Sequence, residues 1–314
     1  MLNKIAFLTE GGGELGLGHV MRSITLAKKF PRSKVRFFLT HRSTLMAEHI
    51  VRSSGFPISY SLKGVDLVIR DLSGGARAGE HDFPGTMMID IVDEAHEVGF
   101  SATYGFSFMG EPFSCEKQIF SGFDYAILRD SFFRYRKQGP SKKTGPVVVS
   151  LGGVDPSGST PLVLAGLSHL TQGPGIVGII GPGYRGPWVP GLVACSPDSL
   201  VDYLYHAPLV VSSGGMTVLE CAALGAPTLV VAHNEKEDRR AKILSSFGFF
   251  HYLGKSNTLD LDSIKWHANH VLTDVLYAST MQSIGWAMVD GRGAERVISF
   301  INNNIGEYIT HALT

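Results

Sequence analysis

The sequence predicts two α/β domains, each built on a parallel sheet with helices on both faces, and three observations carry that expectation. Short apolar runs alternate with longer amphipathic stretches from end to end. The alternation restarts after residue 145. A charged, Gly- and Pro-containing stretch nearly devoid of apolar residues, Arg136 to Pro146, lies between the two series and reads as a linker. With 314 residues the chain is long for one core and suits two domains of roughly 150 residues each. The expected boundaries are 1–140 for the first domain, 146–298 for the second, and a C-terminal helix over 299–314 that returns to the first.

Taken in order, Lys4 to Thr9 and Lys34 to Thr40 read as strands, with Val20 to Phe30 as a helix between them. Asp66 to Arg70 and Met87 to Ile91 continue the strand series. In the second half the strands are Pro146 to Leu151, Gly175 to Ile180, Pro208 to Ser212 and Thr228 to Ala232, with helices over Pro161 to Leu170 and Met216 to Leu224. Continuous apolar strands separated by helices are the mark of parallel sheets buried on both sides. In such open sheets ligands bind beyond the carboxyl ends of the strands, so the informative residues follow strands directly.

Composition narrows the function classes. Lys+Arg and Asp+Glu balance at 28 each, which leaves no electrostatic footprint for nucleic acid. A hydrophobic fraction of 44% excludes a disordered chain. The apolar runs span only a few residues where a membrane-crossing helix needs about 20, and Thr9-Glu10-Gly11 interrupts the apolar start before it resembles a signal peptide. Cys115, Cys195 and Cys221 are odd in number and widely spaced, which suits a reducing compartment. The expectation is a soluble, cytoplasmic protein. Peripheral membrane contact and oligomeric state stay open.

Three glycine loops follow strands. The first runs from Glu10 through Gly11, Gly12, Gly13, Gly16 and Gly18 to His19, and a helix comes after it. A dinucleotide fingerprint starting at Gly16 requires glycine at position 21, where Met21 stands, and the second strand ends in Thr40-His41 rather than an acid for a ribose. What remains is a histidine placed by glycines at a helix start, whose positive end favours the neutral imidazole that a general base needs. The alternative is a histidine that merely caps the helix.

The second loop is Gly152-Gly153-Val154-Asp155-Pro156-Ser157-Gly158 and the third is Ser213-Gly214-Gly215-Met216-Thr217, with Glu220 one turn into the following helix. Backbone N–H groups at such a helix start can cradle a diphosphate, and Glu220 can accept the hydroxyls of a ribose. The competing reading of Thr217-x-x-Glu220 is a helix-starting capping box.

Other patterns carry less. Gly248 to Ser256 resembles a phosphate-binding P-loop but has five intervening residues instead of four, among them bulky aromatics, and reads as strand and turn. Asp260-Leu261-Asp262 resembles a metal-binding D-x-D, yet Asp262 reads better as a helix start. Asp90 and Asp93-Glu94 close a strand without clustered ligands. His96, His169 and His206 have no partner spacing, and His267 with His270 reads as a solvated helix face.

Together the motifs resemble a known family. Leu15-Gly16-Leu17-Gly18-His19-Val20-Met21-Arg22 with Leu26-Ala27 is similar to the I-G-x-G-H-x-x-R…L-A opening of the UDP-2,4-diacetamido-2,4,6-trideoxy-β-L-altropyranose hydrolases of the pseudaminic acid pathway, which are grouped with spore-coat polysaccharide proteins. Tyr125 to Arg129 with Phe132 resembles that family's Y-x-L-L-R-x-x-F. Gly152 to Pro156 resembles its G-G-x-D-P, Ser213 to Glu220 with Leu224 to Pro227 its S-G-G-x-T-x-x-E…L-G-x-P, and Asp290 to Val297 its D-G-x-G-A-x-R-V. Order and rough spacing hold over nearly the whole chain.

The resemblance implies the GT-B fold, two Rossmann-like parallel-sheet domains facing an interdomain cleft, and hydrolysis of a UDP-linked sugar without metal or cofactor. It implies His19 as the catalytic histidine. Gly16, Gly18 and the Gly152, Gly153, Asp155 and Ser213, Gly214, Gly215, Met216, Thr217 loops would contact substrate, with Glu220 on the uridine ribose. The family's Arg-x-Asp is replaced by Leu8 and Glu10, its D-x-Y by Asp71-Leu72-Ser73, and its Asn-Gln by Asn234-Glu235. Glu10, Asp71, Asn234 and Glu235 are nonetheless expected at the substrate, Glu10 and Asp71 orienting the sugar or the histidine. A GT-B glycosyltransferase with a UDP-sugar donor such as UDP-N-acetylhexosamine, and a sugar or lipid acceptor in place of water, is the alternative.

Overall fold

The computed structural model describes residues 3–74, 86–94, 97–98, 102–108, 118–168, 170 and 174–312. Cys115, His96 and His169 lie outside them. In chain order the elements are β1 (Ile5–Thr9), α1 (Gly18–Ala27), β2 (Val35–Leu39), α2 (Leu45–Ser53), β3 (Leu67–Asp71), β4 (Met87–Val92), β5 (Tyr104–Ser107), β6 (Gln118–Ser121), α3 (Asp130–Arg136), β7 (Val147–Ser150), α4 (Thr160–Ser168), β8 (Ile176–Ile180), β9 (Leu192–Ala194), α5 (Leu200–His206), β10 (Val210–Ser213), α6 (Met216–Leu224), β11 (Thr228–Ala232), α7 (Glu235–Ser245), β12 (His251–Lys255), α8 (Leu261–Thr273), α9 (Val275–Met288) and α10 (Gly293–Ala312). No helix among the described residues is long and apolar enough to cross a membrane.

The chain forms two compact units, Met1–Arg129 with Arg292–Thr314, and Asp130–Gly291. The division falls earlier than the 136–146 stretch because α3 packs on α5 and α6 of the second unit. At the other end the return to the first unit comes at Arg292 rather than after 298, since Ala294, Val297 and Ile301 of α10 enter the first unit's core.

In the first unit six parallel strands are ordered β2-β1-β3-β4-β5-β6. Strand residues alternate between faces. Ile5, Phe7, Val35, Phe37, Leu67, Ile69, Met87, Ile89 and Ile91 pack on Val20, Ile24 and Ala27 of α1 and on Ala47 and Val51 of α2. Ala6, Leu8, Val68 and Met88 form a smaller cluster of their own on the alternate positions. α1 begins at Gly18, two residues earlier than expected, with Leu17 as its N-cap and no side-chain cap. It ends before Pro31, which cannot continue a helix.

In the second unit the order is β12-β11-β10-β7-β8-β9, again all parallel. Val147, Val149, Leu209, Val211, Leu229 and Val231 form one core with Val163, Leu164 and Leu167 of α4 and Ile264, Ala268 and Val271 of α8. α6 ends on Gly225 in the left-handed conformation (φ 63°, ψ 37°), and the N–H of Ala226 reaches back to the Cys221 carbonyl before Pro227 stops the helix.

These strand orders locate the ligand sites. In the first sheet the chain starts at β1 and places β2 to one side and β3 to the other; in the second it starts at β7 and places β8 and β10 on opposite sides. The β1/β3 and β7/β10 borders are therefore topological switch points, where crevices open beyond the carboxyl ends of the strands. The first glycine loop and Asp71 stand at the former, the second and third glycine loops at the latter.

Candidate active site

At the β1/β3 border, strand parity sets the chemistry. Asp71 ends β3 two residues after Ile69 and so points to the face that α1 covers, where it is 1% exposed. There its Oδ1 lies 2.7 Å from Nδ1 of His19, which is 11% exposed. Arg22, one turn along α1 from His19, donates to the same carboxylate through Nε (2.9 Å) and Nη2 (2.6 Å), and its Nη1 donates to Asp93 Oδ1 at 2.7 Å. Burial opposes the charge on Arg22, but the two carboxylates outweigh it and hold its pKa above the ordinary arginine value. Arg22 also lies over the ring of Phe108, 5.4 Å from its centroid.

His19 Nδ1 also lies 2.9 Å from Arg22 Nη2. It cannot both accept from the guanidinium and donate to the carboxylate. Two lone pairs facing each other at 2.7 Å repel, so the proton sits on Nδ1, directed at Asp71, and Nε2 carries the basic lone pair. This is the base-and-orienter arrangement of nucleophile-activating sites. His19 occupies the first turn of a helix without a side-chain cap, next to Gly18, around whose missing side chain nothing lies within 4 Å. Gly16 (φ +67°) takes a left-handed turn that sets up this entry, with open space around it as well.

Glu10 has a different employment. Its buried carboxylate accepts from Thr40 Oγ1 (3.0 Å), Arg42 Nη1 (3.0 Å) and the Ser73 backbone N–H (2.9 Å). It braces the loops after β1, β2 and β3. Asp90 pairs with the buried Arg70 on the opposite face of the sheet, at 2.6 and 3.0 Å.

At the β7/β10 border, Gly152 (φ +89°) and Gly215 flank Ser213: a side chain added at either would come within 3.7 Å of the Ser213 hydroxyl oxygen. Gly153 is pressed from the far side, since a Cβ on Gly181 would lie 2.6 Å from its Cα. The N-cap of α6 is Gly215, not Thr217, and supplies no side-chain hydrogen bond, so the capping-box reading of Thr217-x-x-Glu220 fails. Met216 and Thr217 form the first turn, and Glu220 lies one turn further in, largely buried.

Three further residues expected at the substrate are engaged with the protein. Asp155 (φ +41°) accepts from the backbone N–H groups of Ser159 (3.1 Å) and Thr160 (2.9 Å), capping α4. Asn234 caps α7 by accepting from Glu237 N at 2.9 Å, and Glu235 pairs with Lys255 at 2.7 Å. Of the two helix starts at this crevice, α4 thus already has a carboxylate on it and α6 has none from its cap.

Sequence reasoning gave no role to His233, which follows β11. Its Nε2 lies 2.9 Å from the Leu151 carbonyl oxygen and its Nδ1 2.6 Å from Ser157 Oγ. The one signal available was its place directly after a strand. His267 and His270 are not a plain solvated face: with His251, Trp266 and Tyr277 they form a ring cluster in which His251 and His267 centroids are 4.3 Å apart and Trp266 stacks on His270 at 5.5 Å. Asp260, rather than Asp262, caps α8 through the Ser263 N–H at 2.8 Å.

No protein-family model matches the chain. An uncharacterized protein of Methanocaldococcus jannaschii, MJ1062, is 25% identical over 279 residues, covering 74% of this chain; the chain spans 56% of that relative's length. The spore coat polysaccharide biosynthesis protein SpsG of Bacillus subtilis is 22% identical over 336 residues, 95% of this chain and 98% of that protein. Among solved structures, Acinetobacter baumannii MurG aligns with a TM-score of 0.65 at 14% identity, covering 96% of this chain and 99% of that one. The calicheamicin glycosyltransferase CalG4 aligns at 0.57 and 14% identity, covering 96% and 99%. Anabaena Alr3699/HepE, solved with UDP and glucose, aligns at 0.55 and 11% identity, covering 96% and 100%. At such identities the likeness is one of fold: the chain has the two-domain, Rossmann-like α/β GT-B fold.

Proposed function

We propose that the chain is a cytoplasmic hydrolase of a UDP-linked amino or deoxy sugar, cleaving at the anomeric carbon to release UDP and the free sugar in nonulosonic-acid or surface-polysaccharide biosynthesis. In this reading it is a relative of the UDP-2,4-diacetamido-2,4,6-trideoxy-β-L-altropyranose hydrolases. The observation that carries it is the 2.7 Å contact from His19 Nδ1 to the buried Asp71, which leaves Nε2 as a base at an open helix start. The name of SpsG and the UDP and glucose held by Alr3699/HepE support the substrate class.

In the proposed reaction His19 Nε2 takes a proton from water as the water oxygen bonds to the anomeric carbon. The bond from that carbon to the diphosphate breaks on the opposite face, giving inversion. The proton stays on Nε2, and the resulting imidazolium is stabilised by the Asp71 carboxylate. The second unit holds the UDP, with the turn at Gly214, Gly215, Met216 and Thr217 and the start of α6 receiving the charge that grows on the leaving group, and Glu220 accepting the ribose hydroxyls.

The test is UDP release from a panel of UDP-sugars with no acceptor present. The wild type should turn over, and His19→Asn should lose on the order of 10² to 10⁴ in rate while still binding UDP. One observation favours a second reading: position 73, where the family carries a tyrosine, holds Ser73, whose backbone N–H is bound by Glu10. CalG4, of the same fold, is a glycosyltransferase. UDP release only on adding a sugar or lipid acceptor would replace hydrolysis by transfer.

A further inference from the structure

We propose that Ser157 and His233 form a second diphosphate contact in the UDP-holding unit: the Ser157 hydroxyl donates to a phosphate oxygen, and His233 is the residue that positions it. The inference rests on the reading of this unit as the nucleotide half.

The geometry fixes who donates. A carbonyl oxygen only accepts, so the 2.9 Å contact of His233 Nε2 with the Leu151 oxygen places the ring proton on Nε2. Nδ1 is then an acceptor, and the 2.6 Å contact with Ser157 Oγ is a hydrogen bond donated by the serine. The backbone of His233 is held as well, its N–H donating to Glu237 Oε2 at 2.9 Å. The imidazole is thereby locked on two sides.

Its position is informative. His233 follows β11, while Leu151 and Ser157 follow β7, and β10 runs between those strands. Two strand spacings, about 9–10 Å, are bridged by this one side chain. It therefore crosses the carboxyl end of β10, the strand that runs into the Ser213-Gly214-Gly215 turn. A Cβ on Gly214 would lie 3.3 Å from that of Glu237, so the histidine's anchor and the glycine turn are in contact.

Tying two loops together requires only the bond from Nε2 to Leu151. The serine adds something a tie does not need: an exposed hydroxyl, in the exposed stretch Pro156 to Gly158, aimed by a fixed imidazole. The backbone N–H groups of Ser159 and Thr160 are taken by Asp155 and both of those residues are buried, so Ser157 carries the exposed hydroxyl of this loop. Ser159 Oγ, 2.8 Å from Ser157 Oγ, completes a short hydroxyl chain. When a phosphate oxygen arrives, the Ser157 O–H rotates from Nδ1 to the phosphate and Nδ1 passes to water. No covalent bond changes.

The experiment uses the full chain and calorimetric titration with uridine and with UDP. Ser157→Ala should weaken UDP binding about ten- to a hundredfold, the range for one hydrogen bond to a charged group, and leave uridine binding unchanged. Ser157→Thr, which keeps the hydroxyl, should restore UDP affinity. In nitrogen-15 spectra of the wild type, the His233 Nδ1 resonance should move on saturation with UDP and stay in place with uridine. A folded Ser157→Ala protein that binds UDP as tightly as the wild type, or an unmoved Nδ1 resonance at UDP saturation, overturns the proposal alone. A wild-type protein that binds no UDP overturns it together with the nucleotide reading on which it rests.

Discussion

His19 Nδ1 lies 2.7 Å from Asp71 Oδ1, and Arg22 grips that same carboxylate through two nitrogens. One buried carboxylate thus sets the tautomer of the histidine while a fixed cation holds the carboxylate in place. Asp71→Asn keeps the volume and removes the charge that enforces the Nδ1 proton. Its turnover number should fall by about 10² to 10⁴, with UDP affinity unchanged because the glycine loops proposed to hold UDP belong to the other unit. Steady-state kinetics and calorimetry on one preparation separate the two effects. Equal losses in both would remove the orienting role.

Asp71→Ala makes a different prediction. Like Asp71→Asn it removes the carboxylate charge beside Arg22, but it also removes the oxygens that accept from the buried Nε and Nη2 of Arg22, and losing a buried acceptor costs about 1–3 kcal/mol. The urea midpoint of the variant should fall below that of Asp71→Asn.

Glu10 is predicted to act on stability rather than on substrate affinity. Its three donors come from the loops after β1's two neighbours, so Glu10→Gln puts an amide donor among groups that donate already. The expected loss is about 1–3 kcal/mol, read as a lower Tm. Arg42→Ala should cost less than about 1 kcal/mol, because Arg42 is half exposed. A Glu10→Gln protein of full stability with a raised KM would instead put this carboxylate against the sugar.

The strands and glycine loops were legible because buried parallel strands leave continuous apolar runs and their loops leave glycines; β11 and α6 match their expected bounds to the residue. The direction of Asp71 was legible only in part. Counting by twos from Leu67 and Ile69 assigns its face, but that α1 covers that face is a tertiary fact. The capping rule that misread Thr217-x-x-Glu220 reads Asn234-x-x-Glu237 correctly, because the deciding feature, which residue has non-helical dihedrals, is set by where β10 and β11 end. His233 was silent, since the partners of its ring lie 76 and 82 residues away. The ring cluster on α8 was missed for a similar reason: His251 and Tyr277 reach it from β12 and α9.

Asp155 offers a test of backbone conformation. It combines a left-handed φ of +41° with a carboxylate that caps two N–H groups of the α4 start. Asparagine tolerates that conformation and keeps one acceptor, whereas alanine loses the cap and has no side-chain hydrogen bond to offset the left-handed backbone. Asp155→Asn should cost under about 1 kcal/mol and Asp155→Ala about 2–3 kcal/mol in chemical unfolding. Equal losses would assign the effect to charge alone.

The ring cluster predicts acid sensitivity of the second unit. Burial first, then the neighbouring His267 and His270, push His251 below its ordinary value of 6.5, and burial followed by His270 does the same to His267. The folded protein therefore resists protonating these rings, while the unfolded chain takes protons up from about pH 6.5 downward. Below that pH the unfolded state binds more protons, so stability present at neutral pH is lost as the pH falls. His251 Nδ1 also lies 3.0 Å from Tyr277 Oη. Replacing His267 by Gln removes one of the two imidazoles whose centroids lie 4.3 Å apart. Its urea midpoint should decline less steeply between pH 6.5 and 5 than that of the wild type. A wild-type midpoint flat over that interval, or a His267→Gln profile parallel to it, would show that these histidines do not set the acid limit.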